Sequence, residues 1–110
     1  MAHKETIYID LQSHLNRSKS KSYKEMVMKS YTPVMRLSEE NNLIEGDFFD
    51  ENGNLKEDAK VYESNLTENG KKMFWDFMMK WLKYTDRTQK YDNIEMLEKY
   101  YLQIKKKHNL

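Results

Sequence analysis

The residues that could do chemistry in this chain are few and scattered. Its histidines are His3, His14 and His108, and none of them has the spacing of a metal site. Cysteine is absent, which excludes a disulfide framework, a zinc ribbon and a thiol nucleophile. A serine nucleophile needs a base held beside it, and the sequence has no G-x-S-x-G. Gly46, Gly53 and Gly70 lie too far apart to cradle a phosphate. The run Asp50-x-Asn52-Gly53-Asn54 begins like an EF-hand calcium loop, with oxygen ligands at alternate positions. Leu55 then replaces the turn glycine and Val61 the bidentate glutamate, so no calcium site is expected. Asp47 and Asp50 make a carboxylate pair, but an acidic loop yields such pairs by composition alone. Asp10 and His14 would face each other on a helix, whereas the alternation around them predicts a strand. No metal, no cofactor and no enzymatic activity is expected.

Charge is more informative. The net charge is +1, yet residues 1–36 carry +4, residues 37–68 carry −8 and residues 69–110 carry +5. If the middle segment stays together, it makes an acidic surface that repels nucleic acid and attracts a basic protein. The other reading is a solvated loop, acidic because loops are polar.

The elements that must position these residues follow from periodicity. A chain of 110 residues is one domain's worth, spanning 1–110, and large enough to bury a core without staples. Charged residues reach 34%, which is polar for a globular protein, while 13% aromatic content is too rich for a disordered one. The apolar run Phe77-Met78-Met79 is broken by Lys80, so no membrane span is expected. The N-terminus lacks an apolar signal region, so a cytoplasmic location is expected.

Ile7, Ile9 and Leu11 alternate with polar neighbours and predict a short strand, and residues 16–22 read as a mobile basic loop, so 1–21 is strand plus loop. From Ser22 the period becomes helical through Leu37. Pro33, with Thr32 as its cap, predicts either two helices (22–31 and 33–42) or one kinked helix. Residues 43–66 form an acidic loop or hairpin, with Asn52-Gly53 as the turn and Val61-Tyr62 as a returning strand. Thr67 caps the clearest helix, whose stripe is Met73, Phe74, Phe77, Met78, Trp81 and Leu82. Gly70 in its first turn suggests a close backbone approach. Trp75 and Met79 widen the stripe toward a second face. A last helix, opened by Asp92 with Glu95 as a capping box, carries Ile94, Leu97, Tyr101 and Ile104 and ends in Lys105-Lys106-Lys107. The fold class expected is therefore α+β, mostly α-helical, with about four helices and a short β-hairpin or wing.

Two resemblances add to this. The segment from Leu66-Thr67-Glu68-Asn69-Gly70 to Trp81-Leu82 resembles winged-helix bacterial regulators, in which L-T-x-x-G closes the wing and opens a helix. That resemblance implies that Leu43-Ile44-Glu45-Gly46 and Val61-Tyr62 flank a wing, and it implies a DNA-binding transcriptional regulator using the basic stretch from Arg17 to Lys29. The departure is charge: a DNA-reading wing is basic, and this one falls in the −8 segment. Over more of its length the chain is similar to small immunity proteins of contact-dependent and other polymorphic bacterial toxin systems. The phrases carrying it are Leu37–Ile44, Asp50-Glu51-Asn52-Gly53, Ser64–Gly70 and Trp81–Arg87. That similarity implies a cytoplasmic inhibitor of one cognate toxin domain, with no activity of its own. Many such toxins are nucleases with basic clefts. An acidic surface would steer to such a cleft and plug it. The partner-binding residues expected are Asp47, Asp50, Glu51, Asp58 and Glu63, with Phe48, Phe49 and Tyr62 as apolar anchors. The expected partner is a basic toxin domain rather than nucleic acid or membrane.

Overall fold

Caps and buried stripes set the element boundaries. The computed structural model describes residues 5–110, so His3 lies outside the described residues. The order is β1 (Ile7–Asp10), α1 (Leu11–Leu15), α2 (Lys21–Glu40), β2 (Lys60–Tyr62), a single 3-10 turn (Glu63–Asn65), α3 (Glu68–Thr88) and α4 (Ile94–Lys107). Four α-helices and a two-stranded antiparallel sheet make the fold α+β and mostly helical.

The strand expected through Leu11 stops at Asp10, whose carboxylate accepts the Ser13 amide at 3.2 Å and caps α1. Asp10 and His14 thus lie on a helical turn after all, but His14 turns to the Tyr31 hydroxyl, 3.2 Å away. Ser20, in the expected loop, caps α2. Of the two readings around Pro33, the single helix is the one formed. Thr32 is interior rather than a cap, and its hydroxyl donates to the Met28 carbonyl at 2.6 Å. Tyr31, Val34 and Met35 are buried together, and this packing carries the helix through the proline. Asn41 and Asn42 end it, Asn42 at φ 57°.

The expected hairpin is rearranged. Val61 pairs with Ile9 and Tyr62 with Ile7, so β2 returns to the N-terminal strand and not to a neighbour in 43–58. Ile44 bridges to Leu66 instead, which overturns the placing of Leu43-Ile44 and Val61-Tyr62 as the two sides of a wing. Burial decides this: Val61 and Ile9 are both nearly inaccessible, and their pairing closes the sheet over the core.

α3 keeps the expected stripe. Met73, Phe74, Phe77, Met78 and Trp81 are buried, while Leu82 is half-buried. The indole of Trp81 donates to the Ser30 carbonyl at 2.9 Å, which ties α3 to α2. Trp75 stays half exposed, edge-on to Tyr8. The cap of α4 is Asn93 and not Asp92: the Asn93 side chain accepts the Met96 amide at 3.2 Å and donates to the Tyr84 hydroxyl at 2.8 Å. A tertiary partner on α3 thus selects the cap. Phe77 with Tyr101, and Tyr84 with Tyr100, pack edge-on between α3 and α4.

A close joint forms where α2 hands over to α3. Thr67 caps α3 by accepting the Gly70 amide at 3.0 Å, and its own hydroxyl donates to the Asn42 carbonyl at 2.6 Å. The Thr67 amide donates to the Leu43 carbonyl at 3.1 Å. A Cβ at position 70 would sit 1.8 Å from that same Leu43 oxygen. Only glycine fits there, as its place in the sequence suggests.

Two predictions follow from these contacts. Gly70→Ala gains about 1 kcal/mol of helix propensity but must push the Leu43 backbone aside. It is expected to lower the unfolding free energy by about 2 kcal/mol or more in a urea titration, and an unchanged midpoint contradicts the joint. At the other end, Asp76 accepts from His108 at 2.9 Å and pairs with Lys107 at 3.4 Å. The His108 hydrogen bond, with help from Lys107 and against partial burial, holds the Asp76 carboxyl below its ordinary 3.8. A depressed carboxylate stabilises above its unfolded value and loses that contribution as pH falls through its folded value. Asp76→Asn is therefore expected to be less stable than the parent at neutral pH, with the gap closing in acid. A gap that widens in acid contradicts this.

Candidate functional site

The acidic excursion from Leu43 to Leu66 is an ordered loop closed at its neck. Leu43 and Ile44 are buried. The Glu45 amide donates to the Asn65 carbonyl at 2.7 Å, and the Asn65 side chain donates back to the Glu45 carbonyl at 2.9 Å. Beyond the neck, apolar residues point inward and carboxylates outward. Phe48, Leu55, Ala59 and Val61 are buried, while Asp47, Asp50, Glu51, Glu57 and Asp58 are exposed.

The loop tip is a hydrogen-bonded turn. The Gly53 amide donates to the Asp50 carbonyl at 3.0 Å and the Asp50 amide to the Asn54 carbonyl at 2.8 Å. One carboxylate oxygen of Asp50 accepts the amides of Asn52 at 2.9 Å and Asn54 at 3.0 Å. Asp first and Gly fourth suit such a turn, and Gly53 takes φ +79° while Asn52 does not leave negative φ. Phe49 and Leu55 bridge across its base. The oxygens that imitate a calcium loop are thus partly spent on the loop's own backbone. Among the described residues, no group of three or more His, Asp or Glu stands where it could hold a metal ion.

Asp47, Phe49, Asp50, Glu51 and Lys56 line one open hollow of about 590 Å³. Asp47 and Lys56 also border a second, of about 300 Å³, with Asp58 and Tyr62. Lys56 is the cation between them: its ammonium lies 2.9 Å from the Asp47 carboxylate and 3.3 Å from the Asp47 carbonyl. The hydrogen bond to Asp47 is the largest effect and pushes the Lys56 amine above its ordinary value; desolvation, the next largest, opposes it, and the fields of Asp47, Asp58 and Asp50 add to the rise.

Seven of the expected residues therefore line the two hollows: Asp47, Asp50, Glu51, Asp58, Phe49 and Tyr62 with exposed or half-buried side chains, and buried Phe48 at the floor of the second. Two are placed differently from the expected role, Phe48 in the core and Glu63 exposed but apart from the hollows. Phe48 is only 4% exposed, packed beneath Gly46, so it anchors the loop to the core and not to a partner. Glu63 opens the 3-10 turn beside the N-terminal segment, its amide donating to the Thr6 carbonyl at 2.9 Å, and it borders neither hollow. One participant was missed. Arg36, on α2, donates to the Gly53 carbonyl at 2.7 Å and lies 5.1 Å from the centre of the Phe49 ring. No local spacing signals a contact across seventeen positions.

A second polar cluster joins α1 to α2. His14 meets Tyr31; burial and Arg17 lower the His14 imidazole, with Asp10 opposing, and burial raises the Tyr31 hydroxyl. Among the described residues, no helix is long and apolar enough to cross a membrane. The fold and this surface define a small helical α+β protein with an acidic loop closed at its neck by hydrogen bonds. No family model, curated protein or solved structure matches the chain.

Asp50 is expected to hold the turn through its oxygen and not its charge. Asp50→Asn keeps an acceptor for the Asn52 and Asn54 amides; Asp50→Ala removes it. Amide hydrogen exchange at those two positions should rise in the alanine variant and stay near the parent in the asparagine variant. Equal exchange in both variants contradicts the assignment.

Proposed function

We propose that this protein is an immunity protein: a cytoplasmic inhibitor that binds a cognate toxin domain and blocks it through the acidic loop. The observation that carries the reading is the gathering of Asp47, Asp50, Glu51 and Asp58 around two adjoining hollows, on a loop fixed by its own hydrogen bonds. Such a surface has what rapid, selective capture of a basic protein needs. Its charge steers the encounter. Its order limits the entropy lost on binding. Half-buried Phe49 and Tyr62 at its edges supply apolar contact area that charge alone lacks. A nuclease-type toxin, whose phosphate-binding cleft is basic, is the partner this surface fits best. The resemblance read from the sequence phrases Leu37–Ile44, Ser64–Gly70 and Trp81–Arg87 points to the same class.

The test is capture of the tagged protein's partner from its own host, followed by co-expression. A single toxin domain should be recovered, and its toxicity should be neutralised by the parent protein. The variant Asp50→Asn with Glu51→Lys preserves the turn acceptor and removes charge. It is expected to bind the toxin at least about tenfold more weakly, as truncation of close interfacial charge pairs does. Undiminished affinity would remove the acidic loop as the contact surface. Salt-sensitive recovery of DNA and no protein would instead favour a nucleic-acid-binding regulator.

A further inference from the structure

We propose that Arg36 is the positioning residue of the acidic surface, presenting Asp50 and Glu51 to a cationic partner; this rests on the reading above. An exposed arginine among carboxylates ordinarily pairs with one of them. Arg36 does not: among the described residues it makes no ion pair. Its guanidinium instead donates to the Gly53 carbonyl at 2.7 Å and covers the Phe49 ring at 5.1 Å. Both contacts are to the frame of the loop. One grips the turn at its Gly53 end, and the other grips the base, where Phe49 bridges to Leu55. A cation is thereby used to fasten the loop to α2 while the Asp50 and Glu51 carboxylates are left unneutralised. A lysine cannot reproduce both contacts well, because it lacks the planar face that stacks and the fork that donates in that plane.

The placing separates two physical effects by sign. If Arg36 acts only through charge, its removal makes the surface more acidic and a cationic ligand binds more tightly. If Arg36 positions the loop, its removal loosens the carboxylates and the same ligand binds more weakly, because ordering the loop is then charged against binding.

The probe is a fluorescently labelled oligoarginine peptide, titrated at low salt against the parent, Arg36→Gln and Arg36→Lys, with amide exchange measured on the same samples. Arg36→Gln is expected to bind about three- to tenfold more weakly despite losing a positive charge. Its Asp50 and Gly53 amides should exchange faster while those of α3 do not. Arg36→Lys should fall between. Arg36→Gln that binds as tightly as the parent or tighter overturns the positioning role, as does unchanged loop exchange. A parent protein that does not bind the peptide, while Asp50→Asn with Glu51→Lys behaves identically, contradicts the reading of the acidic surface itself.

Discussion

The contact on which the rest of this structure depends is the Leu43 carbonyl lying against the first turn of α3. That oxygen accepts the Thr67 amide and occupies the space a side chain at residue 70 would fill. Twenty-odd residues of chain leave α2 and return to start α3 at nearly the same point. Everything between them is therefore a closed excursion, whose ends are fixed by backbone hydrogen bonds and not by the slack of a linker. The same joint sets the start of α3, and so the rotation of the stripe that places Phe74, Phe77 and Trp81 in the core. Moving the joint would disturb the helical packing and the acidic loop together.

Within the excursion, opposing requirements are met by alternation. Carboxylates crowded on one short segment repel one another and favour an extended, solvated chain. Burial of Phe48, Leu55, Ala59 and Val61 works against that, since each removes apolar surface from water. Asp50 relieves part of the repulsion by directing an oxygen at backbone amides, Lys56 offsets more by pairing with Asp47, and Arg36 ties the turn backbone to α2. The result is a surface whose charge is high and whose backbone is held by its own hydrogen bonds.

The sequence made the helices legible because helical periodicity and caps are local signals. Thr67, the α3 stripe and the glycine at the joint are all readable within a few residues of one another. The caps Asp10 and Ser20 are local signals too, yet they lie inside the expected strand and loop; other misreadings turn on partners distant in sequence. Asn93 displaces Asp92 as a cap because Tyr84 offers it a second hydrogen bond. Val61 pairs with Ile9 rather than with a nearer strand because the core requires both. Phe48 and Phe49 are adjacent and chemically alike, yet one is core and the other sits under Arg36. At the candidate site the residue types and their crowding were visible in the sequence. The grouping around Lys56, the separation of Glu63 and the grip of Arg36 were not, since each depends on how the excursion is folded back on α2 and β1.

The central proposal is that the acidic loop is the surface through which this protein binds a protein partner. Hydrogen exchange of the full chain, alone and bound to the protein partner recovered from its host, tests it most directly. The account predicts new protection confined to residues 47–58, with α4 and the basic stretch from Arg17 to Lys29 unchanged. Protection along Arg17–Lys29 or on the outer face of α4, with the loop exchanging as in the free protein, would contradict it.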